Sequence, residues 1–176
     1  MNTPIPDALP NDALNNSLWH FSLALYGRAP VAALCLELQD RHGGNVNVLL
    51  WCCWLGQRGH YLTEVQLAQA TQRLAAWEQA VVQPLRQLRR SLKHTSLGST
   101  IEVTPTRDAI LAAELRAEQQ AQAWLYRLAS ELGLGGQAET LAASENVSGA
   151  NIASYLRFLD PSEPQHWLRR WQAVAL

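Results

Sequence analysis

At 176 residues, with 48% apolar and 16% charged side chains, the chain is long enough to bury a substantial core and too apolar to be disordered as a whole. Fourteen Lys and Arg stand against 15 Asp and Glu, a formal net charge of -1, which excludes a global field for nucleic acid or anionic membrane; such binding would need a local patch. The longest apolar run, residues 48–55, falls far short of the ~20 residues of a bilayer span, and the start shows no signal-peptide pattern.

The opening residues 1–14 carry three prolines and little periodicity, and read as a flexible, extended lead-in to a single domain over 15–176. A first helix starts near Asn15 or Asn16, carries Trp19, Leu23 and Tyr26 at helical spacing, and ends at Gly27, for which a left-handed exit is expected. Pro30 opens a second helix with Val31, Leu34 and Leu38 on its apolar stripe, stopped by Gly43-Gly44. Asn45 caps a third, residues 46–58, whose VLLWCCWL segment is apolar on every side and therefore belongs in the middle of the bundle. Thr63 and Gln66 form a capping box for a fourth, which Pro84 should kink or interrupt before the basic PLRQLRRSLKH segment.

Thr104 and Pro105 start a long helix that GLGG at 133–136 closes. Two shorter helices follow, one after Ser148 and one opened by Ser162 and carrying Trp167 and Trp171, which dock the C-terminus or, if exposed, form an aromatic and Arg interface. No second strand-like run exists for 48–55 to pair with, so the expected fold is all-α, a single-domain bundle of about six to eight helices around the apolar one. Cys35 and the adjacent Cys52 and Cys53 lack the even, spaced framework of a secreted domain, which points to a reducing, cytoplasmic setting.

The pattern Trp19-x-Phe21-Ser22, Tyr26, Val31, Cys35-Leu36-x-Leu38-Gln39-Asp40, Gly43 and Val46-Asn47-x-Leu49-Leu50 resembles a family of small helical proteobacterial proteins of unknown function. The likeness runs over residues 17–93 and includes Trp77 and the PLRxLRR segment. It implies no chemistry.

Two stretches carry candidate functional residues. In the junction 39–47, Asp40 and His42 offer a carboxylate and an imidazole, with Gln39 and Asn47 able to orient a ligand; ordinary helix stopping and capping explains the same residues. Arg86, Arg89, Arg90 and Lys93 fall on one face of a basic amphipathic helix, opposite Leu85, Leu88 and Leu92. That face is either simply solvated or meets an acidic protein surface, a phosphate-bearing ligand or nucleic acid. No CxxC, HxxxH, nucleophile elbow or phosphate-binding glycine loop is present, so neither a metal nor a cofactor is expected.

Three functional readings follow. The first is a non-enzymatic interaction or regulatory protein that binds a protein partner, or another copy of itself, through the basic helix or the Trp-bearing last helix. The second is a small-molecule or enzymatic pocket around Asp40, His42 and Asn47, walled by Trp51 or Trp54. The third is a nucleic-acid accessory protein using residues 86–93, against which the neutral net charge weighs.

Overall fold

The computed structural model describes residues 11–94, 103–136, 144–162 and 165–175. Among them eight α-helices follow in order: α1 Ser17–Tyr26, α2 Ala29–His42, α3 Val46–Gln57, α4 Glu64–Trp77, α5 Gln83–His94, α6 Thr104–Glu131, α7 Ser144–Leu159 and α8 Gln165–Ala175. The fold is all-α, and no strand occurs among the described residues.

Local sequence accounts for most of the boundaries. Asn16 caps α1 by accepting from the Trp19 amide at 3.0 Å, and Asn45 caps α3 by accepting from Asn47 and Val48; a cap of this kind contributes about 1 kcal/mol. Thr63 and Gln66 form the reciprocal capping box of α4. Gly43 ends α2 with φ 63°, the left-handed conformation a Cβ would disfavour.

Some expectations fail for identifiable reasons. Gly27 ends α1 with φ -64°, so its turn is right-handed and demands no glycine. Asn11–Leu14 forms a 3₁₀ turn instead of an extended lead-in, because Leu14 is buried and its carbonyl accepts from Gln119 at 3.2 Å. The lead-in's first ten residues lie outside the described ones. α6 starts at Thr104 as expected, whereas α7 begins four residues ahead of Ser148. Ser162 hydrogen-bonds Asp160 and does not enter α8.

Pro84 acts on the turn before it. Glu78–Val82 is a π-helical turn joining α4 to α5. Proline has no N–H for the carbonyl four residues back and its ring collides with it, and a wider turn removes both conflicts.

α3 is buried on all sides from Asn47 to Gly56 and packs most extensively on α7. Polar side chains of α7 fix that contact. Ser148 donates to the Cys53 carbonyl, and Asn151 accepts from the Leu62 amide while donating to the Cys52 and His60 carbonyls. Gly56 faces the Ser148 backbone at a separation that leaves no room for a Cβ. The Tyr155 hydroxyl accepts from the Asn45 amide at 2.8 Å, so α7 also holds the turn that starts α3.

α8 docks on α2. Trp167 and Trp171 stack inside the core with centroids 5.1 Å apart, the Trp167 indole donates to the Leu34 carbonyl, and Arg170 pairs with Glu37. All three cysteines are free and buried, and burial raises each thiol, Cys35 to about 12. No single helix among the described residues is long and apolar enough to cross a membrane.

Candidate functional site

α1 and α2 are bent by 102° relative to one another. The first turn of α3, together with α5 and α6, closes the corner they make. The resulting cleft has a volume of about 400 Å³, within the range of small-molecule sites. Its wall is apolar: Trp19, Leu23 and Tyr26 from α1, Leu36 from α2, Leu50 from α3, and Leu111 and Leu115 from α6. Leu23, Leu36, Leu111 and Leu115 each remain 44–51% exposed and form its rim.

The floor is polar because α5 turns its basic face inward. Arg86 and Arg89, one helical turn apart, meet Glu114 and Glu118, one turn apart on α6. Arg86 Nε donates to Glu114 at 3.2 Å and its Nη2 to Glu118 at 2.6 Å, while Arg89 engages both oxygens of Glu114. Asn47 donates to Glu118 and accepts from Gln122 at 3.1 Å. A smaller compartment of about 240 Å³ lies beyond Gln39, Arg86 and Arg90, which line both spaces, and includes Asp40, Asn45 and Glu78.

Burial and charge set the carboxyls apart. Burial pushes Glu78 up to about 6, with Glu118 adding to the rise and Arg86 and the Asn45 amide opposing it. Burial likewise raises Glu118 above the ordinary range, despite Asn47 and Arg86. Glu114 is buried too, but hydrogen bonds and charge from Arg89 and then Arg86 hold it below the ordinary range. The two arginines thus concentrate their compensation on one of three neighbouring glutamates.

Among residues singled out by sequence, Gln39, Asn47, Arg86, Arg89 and Arg90 line one cleft. Asp40 lines the smaller compartment and pairs with Arg90 at 3.2 Å, both side chains about half exposed. His42 lines neither space. Positions two apart project from different sides of a helix, so the Asp40–His42 couple does not form. The Lys93 side chain lies outside the described residues. Trp51 and Trp54 are core residues and line neither compartment.

Glu78, Glu114, Glu118 and Gln122 were not singled out by sequence, and Ser22 only as part of the family-like pattern. The available signal was the Glu114–Glu118 spacing on α6, which mirrors the arginine spacing on α5.

A family model matches residues 17–125, well over half of the chain. The chain belongs to the family described as "Protein of unknown function (DUF2390)". The matched segment contains every residue lining the two compartments, while α7 and α8 lie beyond it. No curated protein and no solved structure matches the chain. Among the described residues no three His, Cys, Asp or Glu side chains come together as a metal site.

Proposed function

We propose that this member of the family is a non-enzymatic binding protein that takes a small amphipathic molecule into the cleft between α1, α2, α5 and α6. The carrying observation is the cleft itself: a ligand-sized space, apolar along one wall and polar at its floor, rimmed by leucines that solvent still reaches. Surfaces that could have served a protein partner are engaged internally. Arg86 and Arg89 bind glutamates of α6, and Trp167 and Trp171 are core residues.

Binding without turnover is favoured by the lining. It contains no His or Cys, and its one serine, Ser22, has no base within hydrogen-bond reach. Nucleic acid is disfavoured because the arginines that would meet phosphates are already paired. Three buried free thiols suit a reducing compartment, and we place the protein in the cytoplasm.

The test is titration with N-phenyl-1-naphthylamine, a neutral apolar fluorophore, read also through the fluorescence of Trp19 in the wall. One bound equivalent is expected, with affinity lost in Leu115→Glu, an exposed rim position where a charge leaves the core untouched. Absence of saturable binding, or binding indifferent to Leu115→Glu, refutes the reading.

The exposed rim also supports a second reading, in which a partner protein inserts an apolar side chain into the same mouth. That version predicts a protein complex disrupted by Leu115→Glu and no affinity for the free fluorophore.

A further inference from the structure

The binding reading leaves the ligand's polar end unspecified, and the floor of the cleft supplies the missing chemistry. Arg86 and Arg89 direct their donors to Glu114 and Glu118, and Arg90 turns its Nη2 to Asp40 at the edge, so the donors at the floor are engaged from within. Acceptors are left over. Gln122 and Ser22 are each 2% exposed, both line the cleft, and neither Gln122 Oε1 nor Ser22 Oγ has a hydrogen-bond partner.

The orientation of Gln122 follows from the chain of bonds behind it. Glu118 accepts from Arg86 through one oxygen and from the Asn47 amide nitrogen through the other, which turns the Asn47 oxygen toward Gln122. Gln122 then donates with its own nitrogen to Asn47 and is left presenting its oxygen. A paired arginine, through an amide relay, thereby fixes an acceptor at the floor of an otherwise apolar space.

Charge points the same way. The cleft itself is lined by Arg86, Arg89 and Arg90 against Glu114 and Glu118, and the smaller compartment adds Asp40 and Glu78 beside Arg86 and Arg90. Asp40 and Arg90 satisfy one another at the edge, and Arg86 and Arg89 cannot neutralise three glutamates.

Resting on the binding reading above, we propose that the ligand is an apolar primary amine whose ammonium group donates to Gln122 Oε1 and Ser22 Oγ beside the Glu118 carboxylate, with its hydrocarbon body along Leu23, Leu36 and Leu115. An ammonium has three donors and no acceptor, and so matches the unmet Gln122 oxygen and the lone pairs of the Ser22 hydroxyl. A carboxylate or phosphate head could accept from the Ser22 hydroxyl but would meet the Gln122 oxygen as a repelled acceptor.

The experiment displaces N-phenyl-1-naphthylamine from the full chain at pH 7.5 with octylammonium, octanol and octanoate, which share one tail and differ in the head. The expected order is octylammonium, then octanol, then octanoate, with about tenfold or more between first and last, the scale of a hydrogen bond to a charged group. Gln122→Leu should reduce that preference to within about twofold while octanol binding persists, and Ser22→Ala should reduce it in part. Gln122→Glu, which keeps the shape and adds a charge, should widen it; this variant decides the matter if Gln122→Leu does not fold. Equal binding of all three heads, or octanoate the tightest, overturns the amine assignment and leaves the cleft as an apolar ligand site. If neither the fluorophore nor any octyl compound binds, the binding reading itself falls.

Discussion

Glu78→Gln should make the protein more stable at neutral pH and leave it nearly unchanged in acid. Glu78 opens the π-helical turn, accepts from Asn45 Nδ2 at 3.0 Å and sits 3.7 Å from Arg86, with 17% of its side chain exposed. Burial raises its pKa from 4.5 to about 6. A carboxyl with a raised folded pKa binds its proton more tightly in the folded state, so its contribution favours folding below the unfolded value and is lost as pH rises through the interval between the two. At about 1.36 kcal/mol per pH unit, that interval corresponds to about 2 kcal/mol.

Glutamine retains an oxygen for Asn45 and does not titrate. The stability gap, variant minus wild type, should therefore open by about 2 kcal/mol between pH 4 and pH 7, the contact to Arg86 being already contained in the shifted value. Urea denaturation followed by tryptophan fluorescence at pH 4, 5, 6 and 7 measures it, and titrations common to both proteins cancel in the difference. Parallel pH profiles, or a gap that opens toward acid, would refute the assignment of Glu78 as a destabilised carboxylate.

Two further predictions concern the α3–α7 contact. Gly56→Ala gains about 1 kcal/mol in helix propensity but would drive its Cβ to 2.6 Å from the Ser148 nitrogen; overpacking of roughly 3 kcal/mol should win, giving a net loss of about 2 kcal/mol in denaturant unfolding. An unchanged or higher midpoint would mean that the two helices separate easily. Asn151→Ala strips partners from the Leu62 amide and the Cys52 and His60 carbonyls, and should cost roughly 3 kcal/mol; a loss below about 1 kcal/mol would show that those groups reach solvent or other partners.

Helices were legible because their signals are local. Asn16, Asn45 and the Thr63–Gln66 box satisfy amides within three residues of themselves, so the chain carries the whole instruction in a short window. The centrality of α3 was legible because a helix apolar on every side has only one stable place. Gly27 misled because a glycine permits the left-handed turn without requiring it. The π turn was half legible: Pro84 announces a conflict, while its resolution by widening depends on how α4 and α5 pack against α6.

The cleft was legible only as separate polar stretches. Residues 39–47 and 86–90 drew attention as two rival sites, yet the bend between α1 and α2 and the packing of α5 on α6 bring them to one place. What joins them is a set of acidic and amide side chains that are unremarkable in sequence, since Glu114, Glu118 and Gln122 on a long charged helix read as its solvated face. Their meaning depends on partners 25 to 75 positions away. The arginines therefore changed role between sequence and structure: a cluster that suggested an anion-binding surface is neutralised from α6, and the capacity left over at the cleft floor is that of acceptors. A basic segment facing a helix with matched glutamate spacing is a different object from a basic segment facing water, and only the second should attract phosphate.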